Sequence, residues 1–261
     1  MKKTIIYLVS ATVLLLTSCS SPKSSHIILG KDLTKSVNVQ DQLGVDEILE
    51  GLRNATHLED DIYSGVTIEF GTITDKNVPD LIILELEAVP LGSGRIKQKR
   101  EKEIALFWEE VRLEVDSLVE LNQVEGQTNI SRTCSYLVSK LERSQRTGYD
   151  RCVLIVMSDM LESQLEQFRV EYADDLPRFK DDFETLSRRL CEDGCPDGDL
   201  SDIYFVISHV NNRFNNALNS TAFGFWEYHY DRLGLKRFKI QGDLFITFEE
   251  EEFTQADISS N

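Results

Sequence analysis

Beyond its first twenty residues this chain has no apolar run long enough to cross a bilayer. It is also short of positive charge, with 28 Lys and Arg against 45 Asp and Glu and a net charge of −17. That acidic surplus disfavours a phosphate backbone as partner, so no nucleic acid is expected. It suits solubility, a basic protein or divalent cations. Histidine is scarce, and there is no Gly-x-Ser-x-Gly elbow, no phosphate-binding Gly-Lys-Ser/Thr loop, no Gly-x-Gly-x-x-Gly turn after a strand and no His-Glu-x-x-His helix. The usual signatures of serine hydrolases, nucleotide-binding enzymes and zinc proteases are therefore missing, and no catalytic residue is assigned. No internal repeat occurs either.

What is present begins at the first residues. Lys2-Lys3, an apolar segment from Thr4 to Leu16 and then Leu16-Thr17-Ser18-Cys19 resemble a bacterial lipoprotein signal peptide. The resemblance implies that residues 1–18 are removed and that Cys19 becomes an acylated (palmitate-type) first residue, anchored to a membrane rather than spanning it. Ser20 in the next position, rather than Asp, resembles lipoproteins sent to the outer membrane of the bacterial cell envelope. Residues 19–45 then read as the lipidated cysteine and a flexible tether, Ser-rich with one Pro over Ser20 to Lys31. The remaining organisation is one folded domain over 46–248 and an acidic, disordered tail over 249–261.

Within the domain, Ile48, Leu49 and Leu52 suggest a short amphipathic helix serving as a lid. Val66 to Ile73 alternates as the first core strand. Leu81 to Leu86 follows after so short a connection that it should pair antiparallel. Lys97 to Asn122 carries apolar residues at helical spacing, and a second helix opens at Asn129-Ile-Ser131 and closes at Gly148. Cys152 to Met157 is a continuous apolar run ending in Ser158-Asp159, which is how a buried parallel strand reads. A helix over Leu161 to Cys191 broken near Pro177, a strand ending at Ser208, a helix from Ser220 to Leu233 and a strand from Phe238 to Phe248 complete the order. The fold class is α/β: a mostly parallel central sheet with one antiparallel strand and helices on both faces.

Cys191 and Cys195 sit in a Gly- and Asp-rich turn where a local disulfide could close. Zinc held by that pair is the alternative, with no histidine nearby in sequence. Cys134 and Cys152 read as small buried residues.

The strand ending in Ser158-Asp159, an earlier strand ending at Asp75 with Asn77 two residues on, and Ser131 and Thr133 at the start of the intervening helix resemble a degenerate von Willebrand factor A domain. That resemblance implies a divalent cation, commonly Mg2+, held above the sheet by an Asp-x-Ser-x-Ser loop, a Thr and a later Asp. Carried onto this chain it implies metal ligands among Asp75, Asn77, Thr133, Ser158 and Asp159, with Asp159 as the later acid. Oxygen ligands at strand ends suit a small hard cation, and waters left on magnesium give way to a partner's carboxylate. The chain departs from the pattern in having Asn77 and Pro79 where serines are expected and Met160 after Ser158-Asp159. Asp159 could instead cap a helix. The function so implied is a lipid-anchored envelope module that binds another envelope or surface protein. Two alternatives stand beside it: a hydrolase using Asp159, Glu162 and His209 on the same rim, and a structural lipoprotein whose metal site has decayed.

Overall fold

The computed structural model describes residues 22–34, 43–75, 78–90, 97–121, 129–162, 165, 168, 175–192, 194–209, 216–241 and 244. Among the described residues six strands form one sheet: β1 (Ser24–Asp32), β2 (Gly65–Ile73), β3 (Leu81–Leu86), β4 (Arg151–Ser158), β5 (Ile203–His209) and β6 (Arg237–Gln241). Their spatial order is β3-β2-β1-β4-β5-β6, and every adjacent pair is parallel except β2 with β3. The expected α/β class is thus present, antiparallel member included. Winding reverses between β1 and β4, the topological switch point at which open sheets of this kind leave a crevice beyond their carboxyl ends.

The helices are α1 (Val45–Asn54), α2 (Lys97–Glu120), α3 (Ile130–Arg146), α4 (Leu176–Asp181), α5 (Phe183–Glu192) and α6 (Asn216–Arg232). Alternation along the central strands divides the core in two. Ile28 of β1 with Cys152, Leu154 and Val156 of β4 face a cluster that takes in Leu137 and Leu141 of α3 and Phe225 and Trp226 of α6. Ile27, Leu29, Val153, Ile155 and Met157 face the other way, onto Ile48 and Leu52 of α1 and Val111 and Val115 of α2. Helices therefore cover both faces. Edge strand β3 is the exception, with Ile82 and Ile83 both exposed.

Three expectations are corrected here. The largest concerns the tether. Ser24–Asp32 is a central strand paired on both sides, so the fold begins at Ser24 and not at residue 46. Two of the polar residues that give the segment its loop-like look are buried and bonded: His26 shares hydrogen bonds with Ser144 Oγ at 2.7 Å and Glu69 Oε1 at 2.9 Å, and Lys31 Nζ donates to the carbonyls of Leu118 and Val119. Second, α1 is no lid, because Ile48, Leu49 and Leu52 are core residues and Gly51 meets Leu244 too closely to admit a Cβ. Third, the backbone leaving β4 is irregular from Asp159 to Glu162, and a helix spans Leu176–Asp181 with Pro177 in its first turn. The signal peptide, Cys19, Asn77 and the acidic tail over 249–261 lie outside the described residues. Among the described residues no helix is long and apolar enough to cross a membrane.

Candidate functional site

At the switch point β1 ends in Asp32 and β4 ends in Ser158. Both residues continue the even-numbered face that looks onto α3 and α6. Ser158 Oγ donates to Asp32 Oδ2 at 2.6 Å, and Thr34 donates to Asp32 Oδ1 through both its N–H and its hydroxyl at 2.8 Å. Ser158 Oγ in turn accepts the N–H of Met160 at 2.8 Å, while Asp159 Oδ1 accepts that of Leu161 at 3.1 Å. A tight turn results, and Met160 adopts a left-handed backbone with φ of +57°. A residue other than glycine holds that conformation only where its surroundings fix it. Here the fixing is explicit: Met160 is fully buried and its carbonyl accepts Trp226 Nε1–H of α6 at 2.8 Å.

The next residues tie the turn to α3. Glu162 Oε2 accepts the N–H of Ser131 at 2.9 Å and so caps the first turn of α3, where Asn129 has no side-chain cap bond. The capping role foreseen for Asp159 thus falls to Glu162, which reaches a helix behind it in sequence. Thr133 lies in the same first turn and is fully buried.

Asp32, Asp159 and Glu162 all have no exposed surface. Burial pushes the Asp32 carboxyl up from its ordinary range, against the hydrogen bonds from Ser158 and Thr34 that hold it down. Lys31 does not neutralise it, being turned to the opposite face against the end of α2. Asp32, Thr34 and Ser158 are bonded into one all-oxygen group, with Asp159 next in the chain, and oxygen donors of this kind suit a small hard divalent cation. A soft metal would find no sulfur or imidazole ligand among them.

Of the residues expected from sequence, Ser158, Asp159 and Thr133 are brought to one end of the sheet. Asp75 is not with them. It follows β2, is exposed, and is separated from β4 by β1, roughly 10 Å away at two strand spacings. The place assigned to Asp75, at the head of the strand beside β4, is occupied by Asp32. The signal was in the sequence: Asp32-Leu-Thr34-Lys-Ser36 spaces an acid and two hydroxyls as the Asp-x-Ser-x-Ser loop does. The polar residues of the strand before it make that stretch look like tether. His209 pairs in register with Ser158 through its backbone. Glu162, foreseen as a partner in water activation, has its carboxylate engaged with α3.

No protein-family model matches the chain. No curated protein matches it either. Among solved structures it is similar to an aerotolerance-related membrane protein of Bacteroides fragilis at 10% identity, covering 84% of this chain and 92% of that one with a TM-score of 0.36. It is similar at 10% identity to BatB of Bacteroides thetaiotaomicron, covering 84% and 90% with a TM-score of 0.37. The manganese-loaded TRAP protein of Plasmodium vivax is similar at 14% identity, over 78% of this chain and 64% of that one with a TM-score of 0.31. Likenesses this distant concern the path of the chain alone.

Proposed function

We propose that this chain is a lipid-anchored protein-binding module of the bacterial cell envelope that docks a partner protein through a divalent cation at the carboxyl ends of β1 and β4. Asp32, Thr34, Ser158 and Asp159 hold the ion, with Thr133 of α3 as a further hydroxyl. When bound, magnesium or manganese supplies an open coordination position to a carboxylate of the partner. The protein's own residues set the geometry: Trp226 pins the turn after β4, Glu162 fixes α3 beside it, and Asp75 on the exposed end of β2 contacts the partner at the rim. The observation that carries this reading is the 2.6 Å hydrogen bond from Ser158 to Asp32, which joins two strand ends in a buried, anionic cluster of oxygens.

Titration with Mg2+ or Mn2+ should raise the melting temperature, because a ligand that binds only the folded state stabilises it by mass action. Asp159→Ala should abolish the rise. If neither metal moves the melting curve of the unmodified chain, cation-dependent docking is wrong. The anchor is tested separately, by incorporation of labelled palmitate that disappears in Cys19→Ala.

A further inference from the structure

The cysteines that close the turn after α5 have a neighbour hidden from the sequence. Cys191 and Cys195 form a disulfide with Cα atoms 4.8 Å apart, and a ring nitrogen of His229, thirty-four residues beyond Cys195, completes a cluster whose ligand atoms all lie within 4.8 Å of one another. We propose that, once this disulfide is reduced, Cys191, Cys195 and His229 bind a borderline-soft divalent cation of the zinc type.

The chemistry of the donors differs in kind from that at the strand ends. Two thiolates and an imidazole suit zinc, and a Cys-x-x-x-Cys spacing lies within the range such sites use. Tetrahedral zinc with Zn–S near 2.3 Å and Zn–N near 2.0 Å separates its ligand atoms by roughly 3.5–3.8 Å. The donor atoms lie within 4.8 Å of one another, so once the S–S bond opens, side-chain shifts of about an ångström bring them to these distances. Water takes the fourth position.

His229 is prepared for the role. It is buried, at 1% exposed. Its Nδ1 is hydrogen-bonded to Ser187 Oγ at 2.8 Å, and Arg232 Nη1 donates to the same hydroxyl at 2.9 Å. Outer partners of this sort fix ring orientation in metal sites. Phe225 stacks on the imidazole, and Trp226 and Tyr230 meet it edge-on, giving the dry surround that strengthens thiolate ligation. Gly194 and Cys195 border an open cavity of about 810 Å³ whose other wall is α3, with Arg132, Arg143 and Arg146.

The redox step balances simply. A phosphine reductant takes oxygen from water and becomes its oxide, the disulfide gains two electrons and two protons as two thiols, and metal binding then releases those two protons. The other described cysteines do not compete, since burial pushes the thiols of Cys134 and Cys152 up to about 12.

The test uses the whole mature chain, reduced with a phosphine, desalted without air and titrated with Co2+ as a spectroscopic probe. One Co2+ per chain should bind with a thiolate-to-cobalt charge-transfer band, be displaced by Zn2+, and be absent from the oxidised protein and from Cys191→Ser/Cys195→Ser. His229→Gln should weaken binding at least about tenfold. Ser187→Ala, which keeps all three ligands and removes only the buried hydroxyl between His229 and Arg232, should weaken it by roughly 10- to 100-fold. The proposal is overturned if the reduced chain takes up no more Co2+ than the double-serine variant, or if both His229→Gln and Ser187→Ala bind as tightly as the unmodified protein.

Discussion

Replacing Asp32 by Asn separates the two things its carboxylate does. Without a cation, a charge with no exposed surface is penalised by burial, and that penalty exceeds what Ser158 and Thr34 return through hydrogen bonds, which is why the carboxyl is displaced upward. An acid whose pKa is higher in the folded state than in the unfolded one favours folding in its protonated form. Stability should therefore fall as pH climbs from about 4 through the raised value, by about 1.4 kcal/mol for each unit of displacement. The asparagine amide keeps an oxygen for the two Thr34 donors and carries no charge. In EDTA, Asp32→Asn should lose that downward slope and at neutral pH match or exceed the unmodified protein. Excess Mg2+ at a hundredfold its dissociation constant should stabilise the unmodified chain by about 2.7 kcal/mol. For a domain of this size that is roughly 5–10 °C in melting temperature. The variant should show no such shift. Differential scanning calorimetry at several pH values, with EDTA and with Mg2+, reads all of these quantities. A variant that responds to Mg2+ as the unmodified protein does would refute the role given to Asp32, and an unmodified chain whose stability is flat from pH 4 to 7 in EDTA would refute the electrostatic reasoning.

Glu69 should show the opposite pH dependence. Burial alone would raise its pKa, but the hydrogen bonds and charges of His26 and Lys140 together outweigh it and hold the carboxyl low. Its contribution is present above the unfolded value near 4.5 and lost as pH falls through the folded one, so acid unfolding should begin at higher pH in the unmodified protein than in a Glu69→Gln variant corrected for its neutral-pH stability. Trp226→Phe should leave the buried Met160 carbonyl without its donor, costing about 1–3 kcal/mol by denaturant unfolding and weakening the Mg2+ response. Glu162→Ala should cost about 0.5–2 kcal/mol, most of it visible as faster hydrogen exchange in the first turn of α3. Gly51→Ala, favoured by helix propensity, should instead destabilise by about 1–3 kcal/mol, because the added methyl would lie 2.6 Å from Leu244 Cβ.

Much of the architecture was legible from residue patterns. The run from Cys152 to Met157 announces a strand buried on both faces, and Leu81–Leu86 lies antiparallel as its short connection requires. The lengths of α2 and α3 follow from their apolar spacing. What escaped was β1, for a definable reason. His26, Lys31 and Asp32 look solvated in one dimension, and their burial makes sense only with partners 43 to 126 residues away: Glu69, Ser144, the end of α2 and Ser158. Hydrophobic periodicity registers apolar faces and cannot register a polar side chain satisfied at long range. Without that strand, Asp75 stands in the place that Asp32 fills. The cap on α3 escaped likewise, since Glu162 lies 31 residues from the amide it satisfies. So did His229 beside Cys191 and Cys195, because only the packing of α6 on α5 brings them together.

The early start of β1 also sets how the molecule stands on a bilayer. With lipid on Cys19 as proposed, only Ser20 to Lys23 separate the acylated residue from Ser24, a leash of at most about 18 Å. The five parallel strands, β1 among them, then all point away from the lipid, and β1 alone, nine residues long, lifts Asp32 a further 30 Å or so. Whatever docks on that summit must approach to within roughly 50 Å of the headgroups, which selects neighbours embedded in the same leaflet or lying on it over anything that drifts at a distance.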